Sequence, residues 1–223
     1  MKLTGVVSIY KPKGLTSHDV VNEVRRLTGE RRVGHAGTLD PLASGVLVVG
    51  IGREATRKLK EIVGQEKEYL AKIRLGMTST TDDEEGEKTK LSNYRTIELA
   101  NIQSVLKNFV GTVEQVPPVY SAVKIKGKEA YKLARKGKVV ELRPRQVVIK
   151  SIDLVDYSWP FLTIKVVTGP GVYIRSLARD IGEKLYTGGY LTSLKRTRVG
   201  RFTLTDCVPI ETLAKKLDSS GKI

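Results

Sequence analysis

Cysteine occurs once in the 223 residues, at Cys207, and that single thiol excludes both an intramolecular disulfide and a thiolate-built zinc site. Long apolar runs are missing as well. No stretch approaches the roughly 20 consecutive apolar residues of a membrane span, and the N-terminal MKLTGVVSIYKPKG lacks a signal peptide's long apolar segment and small-residue cleavage site. These absences point to a cytoplasmic protein with no membrane partner. Internal repeats and low-complexity linkers are absent too, and the length leaves room for one large domain or two lobes sharing a sheet. Acidic residues are scarce, 24 Asp and Glu against 39 Lys and Arg, a formal charge of +15.

What is present fits a folded protein that meets a polyanion. Hydrophobic residues make up 40% and charged ones 28%, ordinary for a soluble globular chain long enough to bury a substantial core. The positive charge is clustered: residues 124–138 carry Lys124, Lys126, Lys128, Lys132, Arg135, Lys136 and Lys138 against Glu129 alone. Without a long amphipathic basic helix carrying bulky apolar anchors, nucleic acid is the favoured partner over a membrane surface.

In chain order, residues 6–10 (VVSIY) read as a first strand and KPKG as the turn after it, with Lys11 either a phosphate contact or a solvated charge. Residues 18–28 space Val20, Val21, Val24 and Leu27 on one helical face, with Ser17 a candidate N-cap and Gly29 the stop. Residues 45–50 (GVLVVG) read as a buried strand, 53–63 as a helix closed by Gly64, and 67–75 as a strand with Tyr69, Ala71, Ile73 and Leu75 on one face. The acidic stretch 80–90 (TTDDEEGEKTK) lacks the alternating ligand spacing of a calcium loop and reads as a solvated turn, so no metal is expected. Residues 97–110 read as a packed helix and 117–138 as a basic, RNA-facing arm. Residues 145–156 and 161–167 follow as strands, 173–185 as a helix, and residues near 210–217 as a final helix. Arg175 falls in the first turn of the helix at 173–185, where the macrodipole disfavours a cation, so an anion nearby is expected, with Asp40 the candidate.

Residues 34–45 (GHAGTLDPLASG) place a lone carboxylate, Asp40, in a loop that feeds the strand at 45–50. Pro41 biases Asp40 toward extended angles, while Gly34, Gly37 and Gly45 are expected to let a large ligand approach. An Asp before Pro is also an ordinary turn. The whole string, however, resembles the signature of the TruB family of pseudouridine synthases. So do, in order, KPKG at 11–14, KEYLAKIRLG at 67–76, VPPVYSAVKIKGKEAYKLARKG at 116–137, GVYIRSLARDIGEKL at 171–185 and YLTSLKRTRVG at 190–200.

The resemblance implies an α+β pseudouridine synthase fold, a central and largely antiparallel sheet flanked by helices with a catalytic cleft across it. It implies isomerisation of uridine 55 in the T-loop of tRNA, without a cofactor, by a monomer whose partner is the tRNA T-arm. Residue by residue, Asp40 matches the family's catalytic Asp, Tyr69 its active-site Tyr, and Arg175 the Arg paired with that Asp. Leu194 matches the apolar residue beside the target base and His35 the His that contacts flipped-out RNA. Lys11, Lys124, Lys126 and Lys128 are expected substrate contacts. The stand-alone bacterial type usually continues into a C-terminal RNA-binding domain, and the expectation here is a single catalytic domain over 1–223 without one. A non-catalytic RNA-binding protein or tRNA-folding chaperone on the same fold would explain the charge equally but would not require Asp40, Tyr69 and Arg175 together; modification of another RNA is a further alternative.

Overall fold

Nine consecutive residues, Ala43–Ile51, are almost wholly apolar because both faces of the strand they form are covered. The computed structural model describes residues 4–91, 97–125, 127–210 and 212. Its first elements are β1 (Gly5–Lys11), α1 (Ser17–Thr28), β2 (Val33–His35), β3 (Ala43–Ile51), α2 (Arg53–Val63), β4 (Lys67–Leu75), β5 (Met77–Ser79), β6 (Lys88–Lys90) and α3 (Leu99–Lys107). They are followed by β7 (Gly111–Gln115), β8 (Lys124–Ile125), β9 (Lys128–Glu129), α4 (Ala130–Ala134), β10 (Arg145–Ser158), β11 (Phe161–Thr168), α5 (Ile174–Lys184), β12 (Gly189–Val199), β13 (Phe202–Thr203) and β14 (Val208–Pro209). The fold is α+β, with a large mixed sheet.

The chain forms two compact units, residues 1–70 with 194–223 and residues 71–193, and passes between them within β4 and within β12. In the first unit the strand order is β14-β1-β3-β12, with β2 added to β3 and β13 to β12. β1 pairs antiparallel with β3 along its whole length, whereas β3 and β12 run parallel from Leu194 opposite Ala43 to Arg196 opposite Gly45. Alternation along β3 then sorts its side chains: Leu47, Val49 and Ile51 pack with Val20, Val21 and Val24 of α1, and Val46 and Val48 with Leu59 and Ile62 of α2. Gly50 makes the second contact possible, since a Cβ there would stand 2.9 Å from the backbone of Ala55.

In the second unit β11, β10 and β7 are neighbours, antiparallel throughout, and β5–β6 and β8–β9 are separate two-stranded hairpins. The apolar face expected for the helix at 173–185 is buried: Ile174, Leu177, Ala178, Ile181 and Leu185 are all in the core. The helix expected over 97–110 is shorter, Leu99–Lys107, and buries only Ile102 and Leu106, leaving Leu99 at the surface.

Two local readings are corrected by hydrogen bonding. The N-cap of α1 is Thr16, not Ser17, because Thr16 and Asp19 close a reciprocal capping box. The turn at 80–90 is not simply solvated: Asp83 is buried and Asp82 largely so, each paired with an arginine of α5. Most of the helix expected near 210–217 lies outside the described residues.

Candidate active site

Asp40 sits in the loop between β2 and β3, and the loop's main chain is held at every step. Arg196 Nη2 donates to the carbonyl of Gly37 (3.2 Å) and Nη1 to that of Thr38 (3.3 Å). Ser17 Oγ donates to Leu39 O (3.0 Å) and accepts from Leu39 N (2.8 Å). Asp40 O accepts from Ala43 N at 3.0 Å, and Pro41 O from Gly14 N at 2.8 Å. Five consecutive carbonyls, 37 to 41, are thereby engaged.

The glycines of the loop serve this packing. Gly45 has φ +113°, and a Cβ on it would lie 2.2 Å from the carbonyl oxygen of Arg196; at Gly37 (φ +95°) a Cβ would meet Lys67 Cε at 3.6 Å and Arg196 Nη1 at 3.8 Å. Gly34 likewise faces Leu59 Cδ1, at 3.3 Å. At Gly45 and Gly34 the close approach is that of the protein's own chain, where a ligand had been expected, whereas at Gly37 the contacts are ordinary.

Cations lie in the core around the loop. Lys11 is fully buried, and its Nζ donates to Pro12 O (2.9 Å) and Leu15 O (2.5 Å), so it is no solvated charge. Burial lowers its pKa to about 8, while the negative charge of Asp40 pulls the other way. Lys67 is also buried; its Nζ donates to Val63 O (2.9 Å) and Gln65 O (2.8 Å), satisfying the C-terminal carbonyl of α2, and burial lowers its pKa to about 8. Arg196 is buried as well and adds a bond from Nε to Val46 O at 2.8 Å.

Of the residues expected from sequence, the first unit gathers several. Leu194 is buried and in register with Ala43, three residues beyond Asp40. Tyr69 is buried two residues after Lys67 on the same face of β4, and Lys67 reaches Gly37. His35 ends β2, partly buried, with its ring 6.5 Å from that of His18 in an edge-to-face arrangement. Burial lowers the pKa of His35, against a hydrogen bond to the Gly37 carbonyl that raises it.

Arg175 belongs to the second unit. It is buried in the first turn of α5, with Nη1 3.5 Å from Asp83 Oδ2 and 3.3 Å from Thr81 O, and Nη2 2.9 Å from Tyr120 O. Asp83 is thus one anion that answers the macrodipole, and the sequence reading had passed over it. One helical turn on, Arg179 binds Asp82 at 2.8 Å and Asp180 at 2.8 Å. The arm is built from β8, β9 and the five-residue α4, with Lys124 and Lys128 exposed; Lys132 pairs with Glu129 at 3.1 Å, and both Lys132 and Arg135 lie against the ring of Tyr131. Lys126 lies outside the described residues.

The sequence reading missed Ser17, Lys67 and Arg196 as parts of the site. For Arg196 a faint signal existed, since within LKRTR it shares a strand face with Leu194, a position where a charge must find partners in the core.

Residues 25–174 match the family described as TruB family pseudouridylate synthase (N terminal domain), and residues 175–220 the tRNA pseudouridylate synthase B C-terminal domain. Among similar sequences, the tRNA pseudouridine synthase B of Thermobifida fusca (strain YX) is 48% identical over 218 residues, 94% of this chain and 74% of its own length. That of Nostoc sp. (strain PCC 7120 / SAG 25.82 / UTEX 2576) is 41% identical over 220 residues, 97% of this chain and 74% of its own. Among solved structures, a chain of a Cbf5-Nop10-Gar1 complex superposes with a TM-score of 0.76 at 29% identity, over 98% of this chain and 56% of that one. The chain therefore spans about half the length of the solved chain it resembles.

Proposed function

The chain belongs to the TruB family of pseudouridylate synthases, enzymes that isomerise uridine in RNA, and from that membership we propose that it converts uridine 55 in the T-loop of tRNA to pseudouridine with Asp40 as the catalytic carboxylate. The observation that carries this reading is the mount of Asp40: a carboxylate on a loop fixed at five successive carbonyls, with the buried Lys11 close enough to feel its charge.

The reaction breaks the N1–C1′ bond, turns the uracil and rejoins it through C5, so it consumes no outside group and needs no cofactor. Addition of the carboxylate to C6 of the ring and attack at C1′ both require ionised Asp40. A cation favours that state and a guanidinium also aims it, the roles assigned to Lys11 and Arg175. The uridine has to leave its stack at a cost of a few kcal/mol, and stacking on Tyr69 offsets about 1–3 kcal/mol of it. Leu194 supplies an apolar neighbour for the base. His35, whose neutral form burial favours, offers hydrogen bonding to RNA. Lys124, Lys126 and Lys128 on the arm meet phosphates.

Asp40→Asn tests the assignment, since the amide keeps the shape and cannot act as a nucleophile. Release of tritium from 5-labelled uridine in tRNA is expected to stop, while the Kd for tRNA stays within about tenfold. A variant that keeps most of the wild-type rate removes Asp40 from the mechanism; loss of binding together with rate would point to an RNA-holding role instead. Mass spectrometry of the product locates the modified uridine. An isolated T-arm stem-loop should react with kcat/KM within about tenfold of full tRNA, or roughly 1.4 kcal/mol.

A further inference from the structure

We propose that Ser17 and Arg196 are positioning residues for the catalytic step, acting by fixing the main chain on either side of Asp40; the inference rests on Asp40 being the catalytic carboxylate. Three of the loop's carbonyls are held by side chains rather than by backbone amides, and these two residues supply all three. Arg196 spans the loop. Its Nη atoms take the carbonyls of Gly37 and Thr38, just before Asp40, and its Nε takes that of Val46, after the loop has entered β3. Ser17, from the first turn of α1, takes both the carbonyl and the amide of Leu39, the residue adjoining Asp40.

A role confined to stability fits this arrangement poorly. Arg196 is 1% exposed, and among the described residues its hydrogen bonds go to the neutral carbonyls of Gly37, Thr38 and Val46. A buried cation held by uncharged groups is a costly way to fill core volume, because an apolar side chain of similar size avoids the desolvation. What the guanidinium supplies that an apolar group cannot is three directional donors in a rigid fork, and here they join the two ends of one loop. Ser17 is 3% exposed and, being freed from capping duty by Thr16, has its hydroxyl available for Leu39. Together they restrict the torsions that determine where the carboxylate of Asp40 points. A misplacement of about 1 Å at a reacting group can cost on the order of 100-fold in rate.

Single-turnover isomerisation at saturating tRNA, with Kd and Tm measured on the same preparations, distinguishes positioning from mere stability. Ser17→Ala and Arg196→Lys are compared with wild type and with Asp40→Asn. Ser17→Ala should lower the single-turnover rate by about 10-fold or more with Kd within twofold, at a temperature well below its Tm. Arg196→Lys keeps the charge but loses the fork, and should show the same split between rate and affinity. A stability role alone would lower Tm and leave the rate of the folded protein unchanged. If Ser17→Ala is folded and runs within twofold of wild type, the proposal is overturned, even should Arg196→Lys fail to fold. If Asp40→Asn itself retains the rate, the catalytic reading fails instead, so the two failures are told apart.

Discussion

Lys11 lies in the core of the first unit with its ammonium turned onto the carbonyls of Pro12 and Leu15, and the charge of Asp40 opposes the effect of burial on it. Its pKa of about 8 lies below the ordinary 10.5. Between those values the unfolded chain binds more protons than the folded one, so the destabilising share of burying Lys11 is full below about pH 8 and fades as pH rises toward 10.5. In Asp40→Asn the opposing charge is gone, and the Lys11 pKa should fall further. Observation of the Lys11 side-chain nitrogen by NMR across pH 6–10, in wild type and variant, checks the sign; an unchanged or higher pKa would mean that Lys11 does not sense the carboxylate. The sequence left Lys11 open between phosphate contact and solvated charge, since KPKG does not say which way a lysine at a strand end turns. Ser17 was hidden for a similar reason: two adjacent hydroxyls, Thr16 and Ser17, stand at the start of α1, and only the hydrogen bonds tell which caps the helix and which reaches Leu39.

At the scale of elements, the parallel pairing of β3 with β12 depends on Gly45, whose missing side chain admits the Arg196 carbonyl. Gly45→Ala places a Cβ against rigid backbone at positive φ, and is expected to cost more than about 3 kcal/mol or to prevent folding. Gly29→Ala is the contrasting case. Gly29 also has positive φ, +65°, but open space around it, so only the left-handed penalty of about 1 kcal/mol applies. Urea unfolding of the two variants measures the difference, and equal midpoints would show that the strand contact carries no such constraint. An apolar face matched to its period located α1, β4 and α5 to within a few residues, an unbroken apolar run located β3, and stops such as Gly29 and Gly64 helped to bound α1 and α2. Partners on distant segments were beyond it. Asp82 and Asp83 look like any charged turn until α5 brings Arg179 and Arg175 beside them, and the core-facing placement of Arg196 follows from parallel pairing with a strand about 150 residues earlier.

For the whole molecule, a formal charge of +15 makes attraction to RNA certain in sign but says nothing of where the RNA lies. Among the described residues no helix is long and apolar enough to cross a membrane, and the exposed lysines of the arm are one candidate contact surface. Within the arm the charges are not equivalent. Lys132 is engaged with Glu129 and the ring of Tyr131, whereas Lys124, Lys128 and Lys136 are exposed on the short hairpin and just past α4. If these three meet phosphates, changing them together to Gln should flatten the plot of log Kd against log salt by about 2–3, at about 0.7–0.9 per phosphate released. The single-turnover rate at saturating tRNA should hold, since the arm's charges act on binding and not on the carboxylate. A matched set, Lys107, Lys165 and Lys184 changed to Gln, removes the same net charge from exposed positions off the arm. Were binding a matter of total charge, both sets would weaken it alike. A flattening confined to the arm set places phosphate contacts there, and equal slopes for the two sets would remove the arm from the interface.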